Sequence, residues 1–245
     1  MMIQHLAWDS HFLRLPVAKI NSNACADELP GLLREAQSRG IRLIYWGPKS
    51  HRVTPEFRSL YGANYVVDQV NLRKVVVDAQ PSVRLVNEHQ VERLVSTTAD
   101  PKVLELALQA GCYSRFRLDS RFDPDVFSRM YRAWIERSCK GEIADAVYAI
   151  RHVDRSIAGI ATLATQNLTC SIGLIAVSPE HQRRGLGTML MQTAEAFATQ
   201  KRCRELSVVT QIQNTAAIRF YEAAGFLTAE STAWFHFWLD GERCV

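Results

Sequence analysis

The sequence predicts a mixed α/β protein built in two unequal parts, with helices flanking a sheet. Three observations carry that prediction. Short β-rich runs alternate with amphipathic stretches along the 245 residues. Two of those runs, 146–152 and 157–165, flank the turn Val153-Asp154-Arg155-Ser156 at hairpin spacing. The β signal stops at Asp78-Ala79-Gln80-Pro81, where proline interrupts backbone hydrogen bonding. The expected parts are a smaller α/β half-domain over residues 1–79 and a larger domain over 82–245.

Taken in order, residues 6–8 and 16–20 read as strands, and Asp27 stands where it could cap a helix over 28–38. Gly40 ends that helix, and Ile41-Arg42-Leu43-Ile44-Tyr45-Trp46 follows as a β-rich run. Thr54-Pro55-Glu56 is a helix start, with the capping residue followed by proline at the first helical position. Residues 65–77 form a long strand. After the break, 83–86 is strand-like, a helix begins near Glu88, and Pro101 opens another that ends at Gly111. Residues 113–125 show no period and read as a loop. Phe127, Met130, Tyr131, Trp134 and Ile135 fall on one face of a helix over 127–139. A short echo links Phe57-Arg58-Ser59-Leu60-Tyr61-Gly62-Ala63 with Ile218-Arg219-Phe220-Tyr221-Glu222-Ala223-Ala224-Gly225-Phe226, each ahead of a β run.

Composition excludes several classes. A hydrophobic share of 47% supports a sizeable core, and a net charge of +4 without a basic run gives no nucleic-acid signature. No apolar stretch reaches the roughly 18–20 residues needed to span a bilayer. Cys25, Cys112, Cys139, Cys170, Cys203 and Cys244 are scattered, without C-x-x-C or zinc-ligand spacing. Met1-Met2-Ile3-Gln4-His5 carries no charged leader. The expectation is a cytoplasmic protein with free thiols, no metal, no membrane span and no nucleic-acid partner.

The segment that carries chemistry runs from Ile172 to Thr188. A β run through Leu174, Ile175, Ala176 and Val177 ends at Ser178-Pro179. Gln182-Arg183-Arg184-Gly185-Leu186-Gly187-Thr188 then opens a helix over about 187–199, whose apolar face holds Leu186, Leu190, Thr193, Ala194 and Phe197. The first-turn amides of such a helix lack partners and sit at the positive end of its dipole. Glycines at 185 and 187 leave that backbone open and two arginines add charge, which suits a pyrophosphate. The competing reading is tight packing of helix on strand. The loop is no P-loop, and the dinucleotide-binding G-x-G-x-x-G is incomplete.

Val177-Ser178-Pro179 followed by Gln182-Arg183-Arg184-Gly185-Leu186-Gly187 resembles the acetyl-CoA signature of the GNAT superfamily of N-acetyltransferases, Q/R-x-x-G-x-G/A after a strand. Asn214-Thr215-Ala216-Ala217-Ile218-Arg219-Phe220-Tyr221-Glu222-Ala223-Ala224-Gly225-Phe226 matches its second half. The resemblance covers about residue 83 to the C-terminus. It implies a GNAT fold, a central and mostly antiparallel sheet flanked by helices, preceded here by a smaller GNAT-like half-domain. It also implies acetyl-CoA as cosubstrate. Leu174, Ile175, Ala176 and Val177 would lend backbone groups to the pantetheine arm, and the amides from Gln182 to Thr188 would hold the pyrophosphate. Asn214 and Ala217 would border the pantetheine or reacting region, although asparagine here is equally a helix cap. Tyr221, read alone a core aromatic, would assist the departing thiolate. Cys170 and Cys203 have no base beside them and read as inert. His152 and His236 read as structural, His181 as solvated. The first part lacks an equivalent motif, so one coenzyme A site per chain is expected, with the first part walling the acceptor pocket.

A finer resemblance bears on the acceptor. Trp8-Asp9-Ser10-His11-Phe12, Ser114-Arg115-Phe116-Arg117, Gln213-Asn214-Thr215-Ala216-Ala217 and Ser231-Thr232-Ala233 are similar to acetyltransferases of nucleotide-linked amino sugars, of the TDP-fucosamine type. That resemblance implies Arg115 and Arg117 as substrate-binding cations, since arginine grips phosphate oxygens. Asp119, Asp123 and Asp125 share the loop and could instead pair with those arginines or with Arg121, or receive a cationic amine. An acceptor of another class (a protein N-terminus, lysine, polyamine or aminoglycoside), a non-catalytic coenzyme A-binding module, and a homodimer all stay open.

Overall fold

The computed structural model describes residues 2–49, 52–77, 89–95 and 100–239. The break at 78–81, the strand expected over 83–86 and Cys244 lie outside these residues. The described chain sorts into two compact units, residues 2–70 with 230–239, and residues 71–229.

In the first unit β1 (Ile3–His5) pairs antiparallel with β2 (Val17–Ile20), which runs parallel to β3 (Leu43–Trp46). The last strand, β10 (Leu227–Trp238), pairs antiparallel with β3 and lies beside β4 (Tyr65–Val75). Helices α1 (Ala7–Leu13), α2 (Leu29–Ser38) and α3 (Pro55–Tyr61) connect the early strands. Thr54 caps α3 through a 3.1 Å bond from the Phe57 amide. The core is aromatic: Phe57 sits 5.2 Å from both Trp46 and Phe235, centroid to centroid.

Three expectations in this unit need correction. Residues 6–8 are not a strand, because Trp8 and Phe12, four apart, stack at 5.0 Å on α1. Asp27 lies inside a 3-10 turn over Ala26–Glu28, so α2 begins at Leu29. The long strand β4 ends at Val75, two residues early.

The second unit orders its strands β4, β9 (Glu205–Gln211), β8 (Thr169–Val177), β7 (Ile157–Gln166), β6 (Ala146–His152) and β5 (His89–Arg93). The segment from His89 is strand rather than helix: it pairs antiparallel along β6 in the register His89↔His152, and that pairing overrides local preference. β6 and β7 form the expected hairpin. Helices α4 (Pro101–Ala110) and α6 (Val126–Cys139) pack together, and α4 lies on β8. Between them the segment read as loop contains a single turn, α5 (Arg115–Leu118), capped by Ser114 and too short to show a period. Helix α7 (Leu186–Gln200) buries Leu186, Met189 and Leu190 with Ile150, Ala158 and Ala161. Helix α8 (Thr215–Ala223) leads into β10, as α3 leads into β4, so the sequence echo marks two helix-then-strand turns.

Candidate functional site

The site grows from a defect in one strand. β8 and β9 run parallel and pair from Thr169↔Glu205 to Ile172↔Val208, where the pairing stops although both strands continue. On its other side β8 pairs antiparallel with β7, with a register shift between Ala161 and Leu163. Thr162 fills the irregularity by accepting the Leu174 amide on Oγ1 at 2.9 Å. A Cβ at Gly173 would lie 2.8 Å from that same oxygen, so a side chain there would displace it. A bulge of this kind raises the local twist and turns β8 away from β9.

The direction of the freed backbone follows from the ladder. The Ser178 amide donates to the Ala158 carbonyl at 2.8 Å, which makes Gly159↔Val177 a non-hydrogen-bonded pair. Val177, and two residues earlier Ile175, therefore aim N–H and C=O away from β7, into the parting between β8 and β9. Leu174 and Ala176 aim theirs toward β7. Of the four strand residues singled out from sequence, two thus present backbone to the opening. The Val177 carbonyl is bound by Gln182 Nε2 at 3.1 Å and by Gln109 Nε2, from α4, at 2.9 Å. Nothing in the sequence marked Gln109, which belongs to no motif.

Beyond Val177 a 3-10 turn over Pro179–His181 leads into Gln182, Arg183, Arg184 and Gly185. Arg183 (φ 60°) and Gly185 (φ 84°) are left-handed. Left-handed residues bordering a helix start turn successive amides into one concavity, a shape that holds anions. No side chain caps α7, whose N-cap position is Gly185 itself. Its first-turn donors are left to solvent or to a ligand. Arg183, Arg184 and Thr188 are exposed, and neither arginine forms an ion pair among the described residues. Leu186 is buried. Gly187 does serve packing, since a Cβ there would come within 3.2 Å of the Phe220 ring on α8. The packing reading therefore holds at Gly187, while Gly185 makes the left-handed turn at the helix start.

Asn214 is a helix cap: its Oδ1 accepts the Ala217 amide at 3.3 Å, and its Nδ2 donates to Thr210 Oγ1 at 3.2 Å. Tyr221 lies in α8, 4% exposed, its ring 5.4 Å from Phe220 and 5.9 Å from Phe226. Burial pushes its phenol well above the ordinary tyrosine value. Burial likewise raises Cys170 to about 12, so it holds its proton and is a poor nucleophile.

Arg115 and Arg117, on α5, lie over the rings of Phe116 and Phe127 at 4.6 and 5.3 Å. The buried Asp119 takes two bonds from Arg121, at 2.8 and 3.1 Å, and Asp125 pairs with Arg129 at 3.0 Å.

His181 is not a solvated residue. Its ring stands 5.5 Å from His89 and 5.7 Å from His152, which are themselves 5.0 Å apart, and Ser178 Oγ lies 3.0 Å from its Nδ1. Burial, and then the neighbouring histidines and Arg184, lower its pKa from the ordinary value, with Glu180 opposing. A neutral imidazole whose folded pKa lies below the unfolded value of about 6.5 stabilises fully above that pH. The contribution is lost as pH falls, because the unfolded chain takes up the proton first. We expect the melting temperature to drop more steeply between pH 7.5 and 5.5 in the wild type than in His181→Gln. Calorimetry in matched buffers would show it, and parallel slopes would exclude His181 as the source.

Residues 108–226, which contain the strand bulge, the left-handed loop before α7, and α8, match the model of the Acetyltransferase (GNAT) family. This chain carries a GNAT acetyltransferase domain. The dTDP-fucosamine acetyltransferase of Escherichia coli O6:H1 is 36% identical over 140 residues, 57% of this chain and 58% of that protein. The spore coat polysaccharide biosynthesis protein SpsD of Bacillus subtilis is 28% identical over 137 residues, 56% of this chain and 46% of the relative. The matched segments thus span about half the length of these curated relatives. In fold, a GCN5-related N-acetyltransferase from Sphaerobacter thermophilus aligns with a TM-score of 0.60 at 14% identity, covering 96% of this chain and 75% of that one. The GNAT fold, a mixed α/β sheet flanked by helices, is the fold of this chain.

Proposed function

We propose that this protein transfers an acetyl group from acetyl-CoA to the amino group of a nucleotide-linked amino sugar. The observation that carries the donor half is the parting of β8 from β9 beside an uncapped helix start. A pantetheine arm has amide groups that can pair with Ile175 and Val177 as an added strand would. A diphosphate has the charge and size for the loop of Arg183 to Thr188. Asn214, which caps α8 through the Ala217 amide and bonds Thr210 at the end of β9, would border the pantetheine arm together with Ala217. When bound, acetyl-CoA supplies an acetyl group activated as a thioester.

The chain's own residues then do three things. The Ile175 or Val177 amide donates to the thioester oxygen as negative charge develops on it. Tyr221 donates a hydrogen bond to the sulfur as the carbon–sulfur bond breaks and the thiolate leaves, while the nitrogen that has formed the new carbon–nitrogen bond gives its surplus proton to water. The loop arginines and α7 amides fix the carrier so that the amine meets its carbonyl carbon at about 3 Å. With its raised pKa the phenol remains a donor throughout the working pH range.

Support for the acceptor comes from the amino-sugar enzyme named among the relatives and from the α5 loop. Arg115 and Arg117 lie on aromatic rings, while Asp119 and Asp125 already pair with Arg121 and Arg129. Two guanidinium groups held two residues apart on aromatic rings suit a diphosphate, which arginine grips through its oxygens. Free thiols at Cys25, Cys112, Cys139, Cys170 and Cys203 are in keeping with a reducing, cytoplasmic setting. The test is to incubate the protein with acetyl-CoA and amino sugars, free and nucleotide-linked, together with a polyamine, and to follow thiol release and product mass. We expect acetylation of a nucleotide-linked sugar and at least tenfold less of its free counterpart. A preference for the polyamine would refute the acceptor, and binding without turnover of any amine would refute the enzyme.

A further inference from the structure

Helix α6 carries an aromatic row, Phe127, Tyr131 and Trp134, with centroids 5.0 and 5.5 Å apart. The first two have structural duties. Phe127 lies under Arg117, and the buried Tyr131 fills the space that a side chain at Gly111 would need. Trp134 is different. It is only half-buried, and its indole N–H finds no hydrogen-bond acceptor among the described residues. An indole nitrogen can only donate, and the exposed Gly173 beside it leaves room for an acceptor group to reach it from solvent.

The N–H faces a particular place. A Cβ built on Gly173 would stand 3.8 Å from Trp134 Nε1, beside Thr162 Oγ1. Thr162 and its neighbour Ala161 point to opposite faces of β7, and Ala161 packs with the α7 residues Leu186, Met189 and Leu190. Gly173 and Trp134 therefore meet on the face of β8 away from α7. The carrier loop is at the start of α7, so on this other face, beside α4 and α6, an acceptor would meet the carrier from the opposite side. Gly173 also stands two residues, about 7 Å, from Ile175, whose N–H looks into the parting. Only substituents close to the reacting nitrogen can lie that near both groups.

We infer that Trp134 is a specificity-determining residue whose indole N–H donates to a hydroxyl on the acceptor carbon next to the amine, with Gly173 leaving bare backbone for the sugar ring. The inference rests on the amino-sugar reading above. Trp134→Phe keeps an aromatic ring against Tyr131 and removes the donor. Wild type and variant would be assayed on a nucleotide-linked amino sugar that bears the neighbouring hydroxyl and on the analogue lacking it, with acetyl-CoA affinity measured by calorimetry.

We expect Trp134→Phe to raise KM for the hydroxylated sugar about fivefold to tenfold. Removing the sugar hydroxyl should do the same to the wild type, and both changes together should cost no more than either alone. Acetyl-CoA affinity should stay within twofold. Additive losses, or no loss in the variant, would sink the role of Trp134 while leaving sugar acetylation standing. A wild type that acetylates other amines but no sugar would remove the reading beneath it as well.

Discussion

Tyr221→Phe is expected to lower turnover by about a hundredfold to a thousandfold, the usual range for removing one hydrogen-bond donor aimed at developing charge. Coenzyme A affinity should change less than twofold. The separation of the two effects follows from where the residue sits. Its ring is packed between Phe220 and Phe226, and phenylalanine preserves both contacts. Gly187 lies against Phe220 rather than Tyr221, so the carrier loop keeps its support. What is lost is one hydroxyl. A thiol resembling cysteine has a pKa of about 8.5, below that of a tyrosine phenol, and further below one raised by burial. Tyr221 is therefore a poor acid for complete proton transfer to sulfur and a good donor of a hydrogen bond as charge appears there. The wild-type rate should accordingly show no loss up to pH 9 from tyrosine ionisation. Stopped assays of thiol release, with calorimetry of coenzyme A binding, would measure both quantities. Full turnover in Tyr221→Phe would remove the residue from the reaction.

Features set by local chemistry were legible in the sequence, and features set by register were not. Thr54 before Pro55 and Asn214 before Thr215 announced helix starts because their side chains reach amides three residues on. Gly185 stood out in the sequence as bare backbone at a helix start, but its left-handed turn, φ 84°, has no signature beyond the glycine itself. The parting of β8 from β9 was not legible, since it depends on Ile172 meeting Val208, residues from separate segments. The three neighbouring histidines come from β5, β6 and the turn before Gln182, and no single window contains them. Gln109 reaches Val177 only because α4 lies on β8. Residues 6–8 read as a strand because β1, at Ile3–His5, is too short to show a period, although the four-residue spacing of Trp8 and Phe12 is itself a helical signal. The return of β10 to the first unit has no local signature at all.

Gly185→Val should weaken coenzyme A binding by about a hundredfold, an effect of conformation rather than of charge. At φ 84° the residue sits where an L side chain costs roughly 1–2 kcal/mol, and more when it branches at Cβ. Valine would drive the backbone to negative φ. The amides of Arg184, Gly185 and Leu186, which share the concavity at the start of α7, would then no longer point together. Several hydrogen bonds to a charged group, each worth about 1.5–3 kcal/mol, would be affected at once. Asparagine separates the two explanations, because it tolerates the left-handed region while still adding a side chain. Gly185→Asn should stay within about tenfold of wild type if φ is what matters. Gly187→Ala should behave differently again: its Cβ would press on the Phe220 ring, moving α8 and with it Tyr221. There the loss should fall on turnover more than on binding. Titrating coenzyme A into the three variants decides the matter, and equal affinities in the valine and asparagine proteins would mean that the left-handed turn is not what holds the carrier.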